Sequence, residues 1–509
     1  MKAAISVASA LVGTAAAGTV SFDLQRQPIQ IQTAPHHTDL QIKAKASEVF
    51  LKVDDVRFIA NVTLGTPPQM VPMTIDTGSS DIWVNSITNK ACGTIQKCHG
   101  QFDFEASKTA KHLDKDELNG NDTFDARYST GYIGANGTYI KDLMSWGGLE
   151  VKQQIFGLAN NSNIDRNILG LSFNTSVGSI SRQEPAPYPT FLDNLVDQGT
   201  INKRIFSLYL NVSKAETSSL LFGGVDTEKY YDGLVEVPMV PTFIQDVVNQ
   251  YAIMMDGFVA KGIDGAKELK EKKLVILDNG SPFNLLPAEV IEPLEKHFGT
   301  VATNDGHVNG TYVNCDAAKN HVGVNFAFKF AGKTIYLPVE DIILDLYSKT
   351  QKRALQRTIG DAAADWNGVC VLAFQREYSG VPLLLGDPFL RNAYVVYDQD
   401  RETIALAQAK FNSSKSNVVE VAKNAGVPTK KGDATPKYII NGTAPSDSDK
   451  SDDKGNGDKG NGDKGNGDKG NGDKGNGKDD KGKDGKSSAS GLRVPMAALL
   501  MTAAAAYLL

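Results

Sequence analysis

The sequence predicts an all-β fold built from two similar lobes, and three observations support this. Short apolar runs bounded by Gly, Asn and Asp fill residues 57–411, as expected of strands that end in turns. An apolar strand running into Asp-x-Gly-Ser occurs twice, at 74–80 and at 274–281. Each copy is followed, later in its own half, by an apolar-apolar-Gly element at 168–170 or 384–386, so the halves read as copies of one unit.

The local patterns predict mostly strands and only two helices. Runs at 71–75, 82–84, 274–277 and 383–385 have the length and composition of strands. A helix is predicted at 190–198, where apolar residues keep helical spacing and Gly199 ends the pattern. A second helix is predicted at 287–297. We place the two lobes at 58–235 and 236–411.

Composition narrows the range of partners. The 509 residues are too many for one small core, and 53 basic against 59 acidic residues give a net charge of −6. No broad basic field is present, which argues against nucleic acid as a partner. No small-molecule cofactor is implied, and a monomer is expected.

The N-terminal residues have the composition of export and processing segments. Lys2 precedes an apolar run that closes in the small residues of 15–17, a pattern typical of a signal peptide, which we place at 1–17. Residues 18–50 contain scattered polar residues, Pro28 and Pro35. This composition, between a signal peptide and a folded domain, predicts a propeptide.

The C-terminal residues predict a tether and a membrane anchor. The pentad Asp-Lys-Gly-Asn-Gly repeats within 453–477 without an apolar residue, so this stretch cannot bury enough surface to fold, and we expect 412–487 to be a disordered tether. Small residues around Ser488, a short spacer and an apolar tail fit a glycosylphosphatidylinositol signal at 488–509, with Ser488 as the attachment site. The alternative is a retained tail anchor. The resulting localisation is the outer face of the plasma membrane, with possible transfer to the cell wall.

Cysteines and glycosylation sequons agree with a secretory route. The spacing favours two disulfides, Cys92 with Cys98 and Cys315 with Cys370. A zinc site at Cys92, Cys98 and His99 would need a fourth donor at a recognisable spacing, and we find none. Nine sequons are predicted to carry glycans: Asn61, Asn121, Asn136, Asn160, Asn174, Asn211, Asn309, Asn412 and Asn441.

The repeated Asp-x-Gly-Ser loops suggest a chemistry. Asp76 and Asp278 would each end an apolar strand and face one another across a cleft between the lobes. Two carboxylates a few ångströms apart share a proton, so one can activate a water while the other polarises a carbonyl. This route to peptide-bond hydrolysis needs neither metal nor covalent intermediate, and it implies acidic working conditions.

These loops are where the sequence resembles the pepsin family of aspartic endopeptidases. The resemblance runs from about residue 58 to 411 and includes the segments 61–69, 76–84, 189–192, 221–226 and 385–391. It implies a bilobal pepsin-like fold that cleaves peptide or protein substrates. It also implies that Asp76 and Asp278 are catalytic. The whole arrangement, with its anchored tail, is similar to the fungal yapsin-related members.

The resemblance also implies a substrate-binding set. Tyr128 would be the tyrosine of a flap that closes over substrate, with Trp83 as its hydrogen-bond partner. Thr130, where some relatives have Asp, favours large apolar residues beside the cleaved bond. The remaining members flank the two Asp residues: Gly78, Ser79, Gly280 and Ser281.

Asn279 departs from the family pattern, which has Thr or Ser after the second Asp. Its amide both donates and accepts hydrogen bonds and could rebuild the contact made by a hydroxyl. A poor fit would tilt a carboxylate and lower the rate. Asn279 also begins a sequon that we expect to be unused, because a glycan would fill the cleft. Besides an active acid endopeptidase, the sequence leaves two hypotheses open: an inactive peptide- or wall-binding homologue, and a wall structural protein.

Overall fold

The computed structural model describes residues 20–26 and 57–443, apart from short gaps at 95, 115, 129–132, 147–148, 182–185, 212–217, 243–245, 305–308, 379–380, 414 and 429–432. Within them the regular secondary structure is mostly strand, which confirms the predicted all-β class. None of the helices described is long and apolar enough to cross a membrane.

The strands of the first half alternate buried and exposed positions where one face meets solvent, and are buried throughout where they lie inside. β6 shows the alternating pattern and β4 the continuous one. The bounds are β1 Val20–Arg26, β2 Phe58–Leu64, β3 Gln69–Asp76, β4 Ile82–Asn85, β5 Lys111–His112, β6 Thr123–Tyr128, β7 Ile133–Trp146, β8 Leu149–Ser162, β9 Asn167–Gly170, β10 Ile205–Tyr209, β11 Ser218–Phe222 and β12 Gly224–Asp226.

The second half is built in the same way, with a final strand beyond the predicted end of the lobe. Its bounds are β13 Val235–Pro238, β14 Ala252–Met255, β15 Gly257–Lys261, β16 Lys273–Leu277, β17 Asn284–Leu286, β18 Val301–Asn304, β19 Asn309–Asn314, β20 Asn325–Phe330, β21 Lys333–Pro338, β22 Ile343–Leu344, β23 Val369–Leu372, β24 Phe374–Arg376, β25 Leu383–Leu385, β26 Ala393–Asp398, β27 Thr403–Gln408 and β28 Val418–Glu420.

The helices are short. Both predicted helices are present: the first is capped by Thr190, whose hydroxyl and the side chain of Asp193 form a capping box, and the second ends at Gly299 in the left-handed conformation. The bounds are α1 Phe191–Asp197, α2 Ala288–Phe298, α3 Ala317–Asn320, α4 Lys349–Ile359, α5 Asp387–Leu390 and α6 Lys437–Asn441; 3₁₀ turns cover Glu117–Gly120, Asn174–Ser176, Gly178–Ser181, Val339–Asp341 and Gly360–Ala363.

The two halves repeat one strand arrangement. In the first, β3 pairs in parallel with β9, β9 in antiparallel with β4, and β4 in parallel with β8. In the second, β16, β25, β17 and β24 pair in the same order and with the same directions. A cluster of buried apolar side chains that includes Phe58 and Leu406 continues through both halves. This topology confirms the bilobal architecture expected from the duplicated motif.

The folded region extends past the predicted boundary at 411. β28 pairs with β12, and α6 follows at 437–441. Val421, Val427 and Ile439 are buried in this segment. The prediction that the tether begins at 412 is therefore wrong, because 412–443 carries apolar residues that pack on the body, unlike the repeat beyond it. We call residues 412–443 the C-terminal strap.

The described residues include only one part of the predicted N-terminal segments. Residues 20–26, within the predicted propeptide, form β1 and pair with β11 and β2. The predicted signal peptide, the rest of the propeptide, the repeat and the anchor signal at 488–509 lie outside the described residues.

Candidate active site

Two loops from the two halves meet at the centre of the molecule. β3 ends at Asp76, whose carbonyl accepts a hydrogen bond from Leu171 N at 2.9 Å, just beyond β9. β16 ends one residue before Asp278, whose N–H donates to Leu385 O at 3.1 Å. Each Asp is thus fixed by the strand that pairs in parallel with its own, and the repeated apolar-apolar-Gly element supplies that strand.

The two carboxyl groups are buried where the loops meet. Asp76 is 2% exposed and Asp278 is 0% exposed. Asp76 accepts from Gly78 N at 2.8 Å and from the Ser79 hydroxyl. Asp278 accepts from Gly280 N at 2.8 Å.

Gly78 is required by the close approach of the loops. A Cβ at this position would overlap the carboxyl group of Asp278. Any other residue would therefore push the two carboxyl groups apart, so the Gly of the first Asp-x-Gly-Ser loop serves the opposing Asp.

Burial and mutual repulsion separate the ionisation of the two acids. Burial raises the pKa of Asp76, and hydrogen bonds from Ser79 and Gly78 oppose that rise. Burial also raises the pKa of Asp278, and here the neighbouring charge of Asp76 raises it further. Asp76 therefore ionises first, and Asp278 retains the proton.

Four hydrogen bonds join the two loops, and Asn279 takes part in three of them. Asn279 Oδ1 accepts from Thr77 N at 2.8 Å, and Asn279 Nδ2 donates to Ile75 O at 3.1 Å. In return, Thr77 Oγ1 accepts from Asn279 N at 3.0 Å and donates to Leu277 O at 3.2 Å. The Asn279 amide thus accepts from one backbone N–H and donates to one backbone carbonyl of the first loop. The Thr77 hydroxyl makes the same two kinds of contact with the backbone of the second loop.

Tyr128 stands at the end of β6, over the first loop. It is 3% exposed, and its hydroxyl accepts a hydrogen bond from Trp83 Nε1 at 2.7 Å. Burial raises the pKa of Tyr128, and the charges of Asp76 and Asp81 add to the effect, so the phenol stays neutral. Thr130 lies outside the described residues.

The structure brings most of the predicted set together, with one asymmetry. Gly78, Ser79 and Gly280 all donate to or contact the two carboxyl groups. Ser281, the counterpart of Ser79, instead donates to Phe283 O at 3.2 Å and accepts from Phe283 N at 3.2 Å. In the first loop the Ser hydroxyl therefore donates to the Asp carboxylate of the same loop. In the second loop the Ser hydroxyl donates to a backbone carbonyl instead.

Sequence reasoning missed Asp81, which lies five positions after Asp76. Its carboxylate accepts from Tyr139 Oη at 2.7 Å, Tyr188 Oη at 2.5 Å and Gly178 N at 2.6 Å. The sequence shows an acidic residue just before an apolar strand. It does not show the hydrogen-bond partners of that residue, because they lie far away along the chain and no motif marks them.

Both predicted disulfides are present, Cys92–Cys98 and Cys315–Cys370. Most predicted glycosylation sites are exposed, while Asn174 is half-buried and the side chain of Asn309 is not described. Asn211 is 1% exposed and accepts from Asn412 N at 3.0 Å, which argues against a glycan there in the folded chain. Asn279, expected to be unused, is 1% exposed.

Comparison with known proteins agrees with this geometry. The family model for eukaryotic aspartyl proteases matches residues 57–409. The chain is 29% identical to the probable aspartic-type endopeptidase opsB of Aspergillus oryzae, over 74% of this chain and 73% of that protein. It is 30% identical to aspartic proteinase yapsin-3 of Saccharomyces cerevisiae, over 76% and 72%. It is 28% identical to candidapepsin-3 of Candida albicans, over 75% and 86%.

The chain therefore belongs to the eukaryotic aspartyl protease family. Its activity is that of an aspartic-type endopeptidase, a peptide hydrolase.

Proposed function

We propose that this endopeptidase cleaves its substrates at acidic pH with Asp76 and Asp278 as its catalytic pair. Asp76, which ionises first, takes a proton from a water that lies between the two carboxyl groups. That water attacks the scissile carbonyl, while protonated Asp278 donates a hydrogen bond to the carbonyl oxygen. The proton held by Asp76 then passes to the leaving nitrogen, and the peptide bond breaks.

The observation that supports this proposal is the close approach of the two loops, which buries two carboxyl groups of unequal acidity. A pair of this kind holds one proton between two sites, which is what an acid and a base acting in one step require. Working conditions are acidic because the pair loses that proton as the pH rises.

Tyr128 and the residues that flank the two Asp side chains are the proposed substrate-binding residues. We assign the hairpin of β6 and β7 as the flap, with the Trp83–Tyr128 hydrogen bond holding its tyrosine over the first loop. Gly78, Ser79, Gly280 and Ser281 border the reacting groups. Thr130, without charge, favours large apolar side chains next to the cleaved bond.

The test is cleavage of a denatured protein by the tail-truncated chain, with Asp278→Asn and Asp76→Asn as variants. We expect acid-dependent cleavage that pepstatin blocks, and a loss of about 10³-fold or more in either variant, since each removes one member of a unit. Asn is isosteric with Asp, so both variants should keep the thermal unfolding midpoint at acidic pH. Wild-type activity in a folded Asp278→Asn variant would overturn the proposal.

An inactive binding homologue was the main alternative, and Asn279 was its support. The hydrogen bonds of Asn279 to Thr77 and Ile75 keep the two loops joined, so the departure from the family pattern gives no reason to expect a displaced carboxyl group. Binding of a peptide without turnover, at any pH, would restore that alternative.

We also propose that the protein passes through the secretory pathway and is held at the outer face of the plasma membrane. The signal-peptide pattern, the two disulfides and the small-residue and apolar pattern of 488–509 support this. Phosphatidylinositol-specific phospholipase C should release the activity from intact cells. Release should fail when Ser488 and its small neighbours are replaced by bulky residues.

A further inference from the structure

A buried carboxylate that the proposed chemistry does not use lies behind the first catalytic loop. Asp81 directly follows Ser80 and is 5% exposed. Its side chain accepts three hydrogen bonds, two from tyrosine hydroxyls and one from a backbone N–H. A buried carboxylate needs hydrogen-bond donors, and these three donors tie the segments that supply them to Asp81.

The three donors come from three different segments of the first half. Tyr139 is on β7, the return strand of the flap hairpin. Gly178 begins a 3₁₀ turn, and Tyr188 precedes α1. A Cβ on Gly178 would crowd Tyr139 Oη, Asp81 Oδ2 and the carbonyl of Asp125 on β6, so the turn lies directly against the flap strands.

A continuous set of aromatic contacts leads from Asp81 to the flap tyrosine. The Tyr139 ring packs edge-on against Phe124 of β6, with centroids 5.3 Å apart, and Phe124 packs against Trp83 at 6.2 Å. Trp83 in turn donates to the Tyr128 hydroxyl. All four rings are at most 3% exposed and belong to one buried cluster.

Backbone hydrogen bonds also hold the loop that carries Asp76 in place next to Asp81. Gly170 N donates to Asp81 O at 3.1 Å, and Ser172 N donates to Ser79 O at 3.0 Å. The backbone of Asp81 is therefore part of the loop that carries Asp76, while its carboxylate binds Tyr139 on β7, which is one strand of the flap hairpin.

We propose that Asp81 is a positioning residue that sets the location of the flap tyrosine relative to Asp76. It touches neither the substrate nor the reacting atoms. It acts by holding Tyr139, Tyr188 and Gly178 on the loop that carries the catalytic base. This inference rests on the proposed function of Asp76 and Asp278.

Asp81→Asn is the substitution that tests this role. An amide has one acceptor oxygen, whereas hydrogen-bond donors face both carboxylate oxygens of Asp81. If the amide oxygen faces the two tyrosine hydroxyls, its NH₂ group meets Gly178 N–H. If it faces Gly178, both tyrosine hydroxyls lose their acceptor. Either orientation leaves a buried donor unpaired and shifts the base of the flap.

We expect kcat/KM of Asp81→Asn to fall about 10- to 100-fold per active site, since misplacement of about 1 Å can cost 10²-fold. Active sites are counted by the stoichiometry of pepstatin binding, so unfolded material does not enter the value. The inhibition constant of pepstatin should rise in parallel, because the flap closes over the inhibitor as it does over substrate.

Asp226→Ala is the control for loss of buried hydrogen bonds. Asp226 is 6% exposed and accepts from Glu228 N at 3.1 Å, Asn417 N at 2.8 Å and Ser416 Oγ at 2.8 Å, away from the flap. Alanine removes all three of these hydrogen bonds, so the unfolding midpoint should fall while kcat/KM per active site stays at the wild-type value. This separates positioning from stability.

Wild-type kcat/KM per active site in Asp81→Asn would overturn the inference. If that variant binds no pepstatin because it does not fold, the double substitution Tyr139→Phe and Tyr188→Phe keeps both rings and removes both hydroxyl donors. The same fall in kcat/KM is then expected, and its absence would overturn the inference. Activity retained by Asp278→Asn would overturn the proposed function instead, whatever the result at Asp81.

Discussion

Asn279 shows how a single side chain can replace a hydroxyl between the two catalytic loops. Its amide oxygen and nitrogen satisfy Thr77 N–H and the Ile75 carbonyl, both in the buried interior. Because a buried backbone group left without a partner costs about 1–3 kcal/mol, the contact contributes to folding as well as to the alignment of the carboxyl groups.

Asn279→Ala should therefore lower both stability and activity. Removing both contacts is expected to reduce the free energy of unfolding by about 2–4 kcal/mol. It should reduce kcat/KM about 10-fold or more, because Asp278 lies next to the deleted side chain. Thermal unfolding and initial rates at acidic pH measure the two effects.

Asn279→Thr is the control for this prediction, since its hydroxyl can make one donation and one acceptance in the same place. It should keep most of the activity. An Asn279→Ala variant as stable and as active as the wild type would show that the remaining contacts of Thr77 suffice to hold the loops.

At the residue scale, the sequence could predict the reacting groups but not the groups around them. Asp76 and Asp278 could be found because the loop occurs twice, and repetition turns a common turn sequence into a signal. The contacts of Asn279 and Asp81 could not, because their partners lie up to 204 positions away in the first case and 107 in the second. Only the folded backbone brings such residues together.

At the scale of elements, the C-terminal strap is a part of the fold that the family match does not cover. It lies beyond residue 409, where that match ends. β28 adds to β12, and Lys203 Nζ donates to Ala425 O at 3.2 Å. Asn325 Nδ2 donates to Ile439 O at 2.8 Å and to Ile440 O at 3.0 Å, so the strap contacts both halves of the molecule.

Truncation after residue 411 should destabilise the protein, whereas truncation after 443 should not. The shorter chain exposes the sites of Val421, Val427 and Ile439, and burying one such side chain is worth about 1.5–3 kcal/mol. We expect the loss to reach several kcal/mol. It should appear as a lower midpoint in urea.

Val421→Asp in the 443-residue chain is the matched test, because it keeps the strap and places a charge at a buried position. It should lower the midpoint in the same direction. Equal midpoints for the two truncations would contradict the assignment of the strap to the folded region.

Elements were predictable where a local signal marked both ends. α1 begins with a capping box, α2 begins after Pro287, and a Gly follows each helix; both were found. α4 was missed although Ser348 and Gln351 form a capping box, because Leu355 is the one residue of that helix that is buried and the apolar periodicity is weak. The strap was missed because its apolar residues are sparse and pack only on distant surfaces.

At the scale of the whole molecule, the fold buries several carboxyl groups, two of them where the halves meet. Burial raises the pKa of Asp76 and of Asp278, and it also raises the pKa of Asp398, which is 1% exposed. The carboxyl groups whose pKa is lowered, such as Asp114, Glu268 and Asp316, lie at the surface, where solvent screens their ion pairs. The buried groups should therefore dominate the dependence of stability on pH.

The sign of that dependence follows from the direction of the shifts. A carboxyl group whose pKa is higher in the folded state than in the unfolded state stabilises the fold fully below its unfolded pKa, about 4 for Asp and Glu. That contribution is lost as the pH rises through the folded value. The unfolding midpoint should be highest in acid and should fall towards neutral pH, with each such group costing about 1.4 kcal/mol per pH unit between its two pKa values.

Asp278→Asn tests the origin of this slope, because it removes the carboxyl group whose pKa is raised most strongly while keeping its shape. Its midpoint should match the wild type near pH 3 and exceed it near pH 7, so the two curves diverge as the pH rises. Unfolding midpoints measured from pH 3 to pH 8 on both proteins give the comparison. Parallel curves would mean that the loss of stability with rising pH arises at groups other than Asp278.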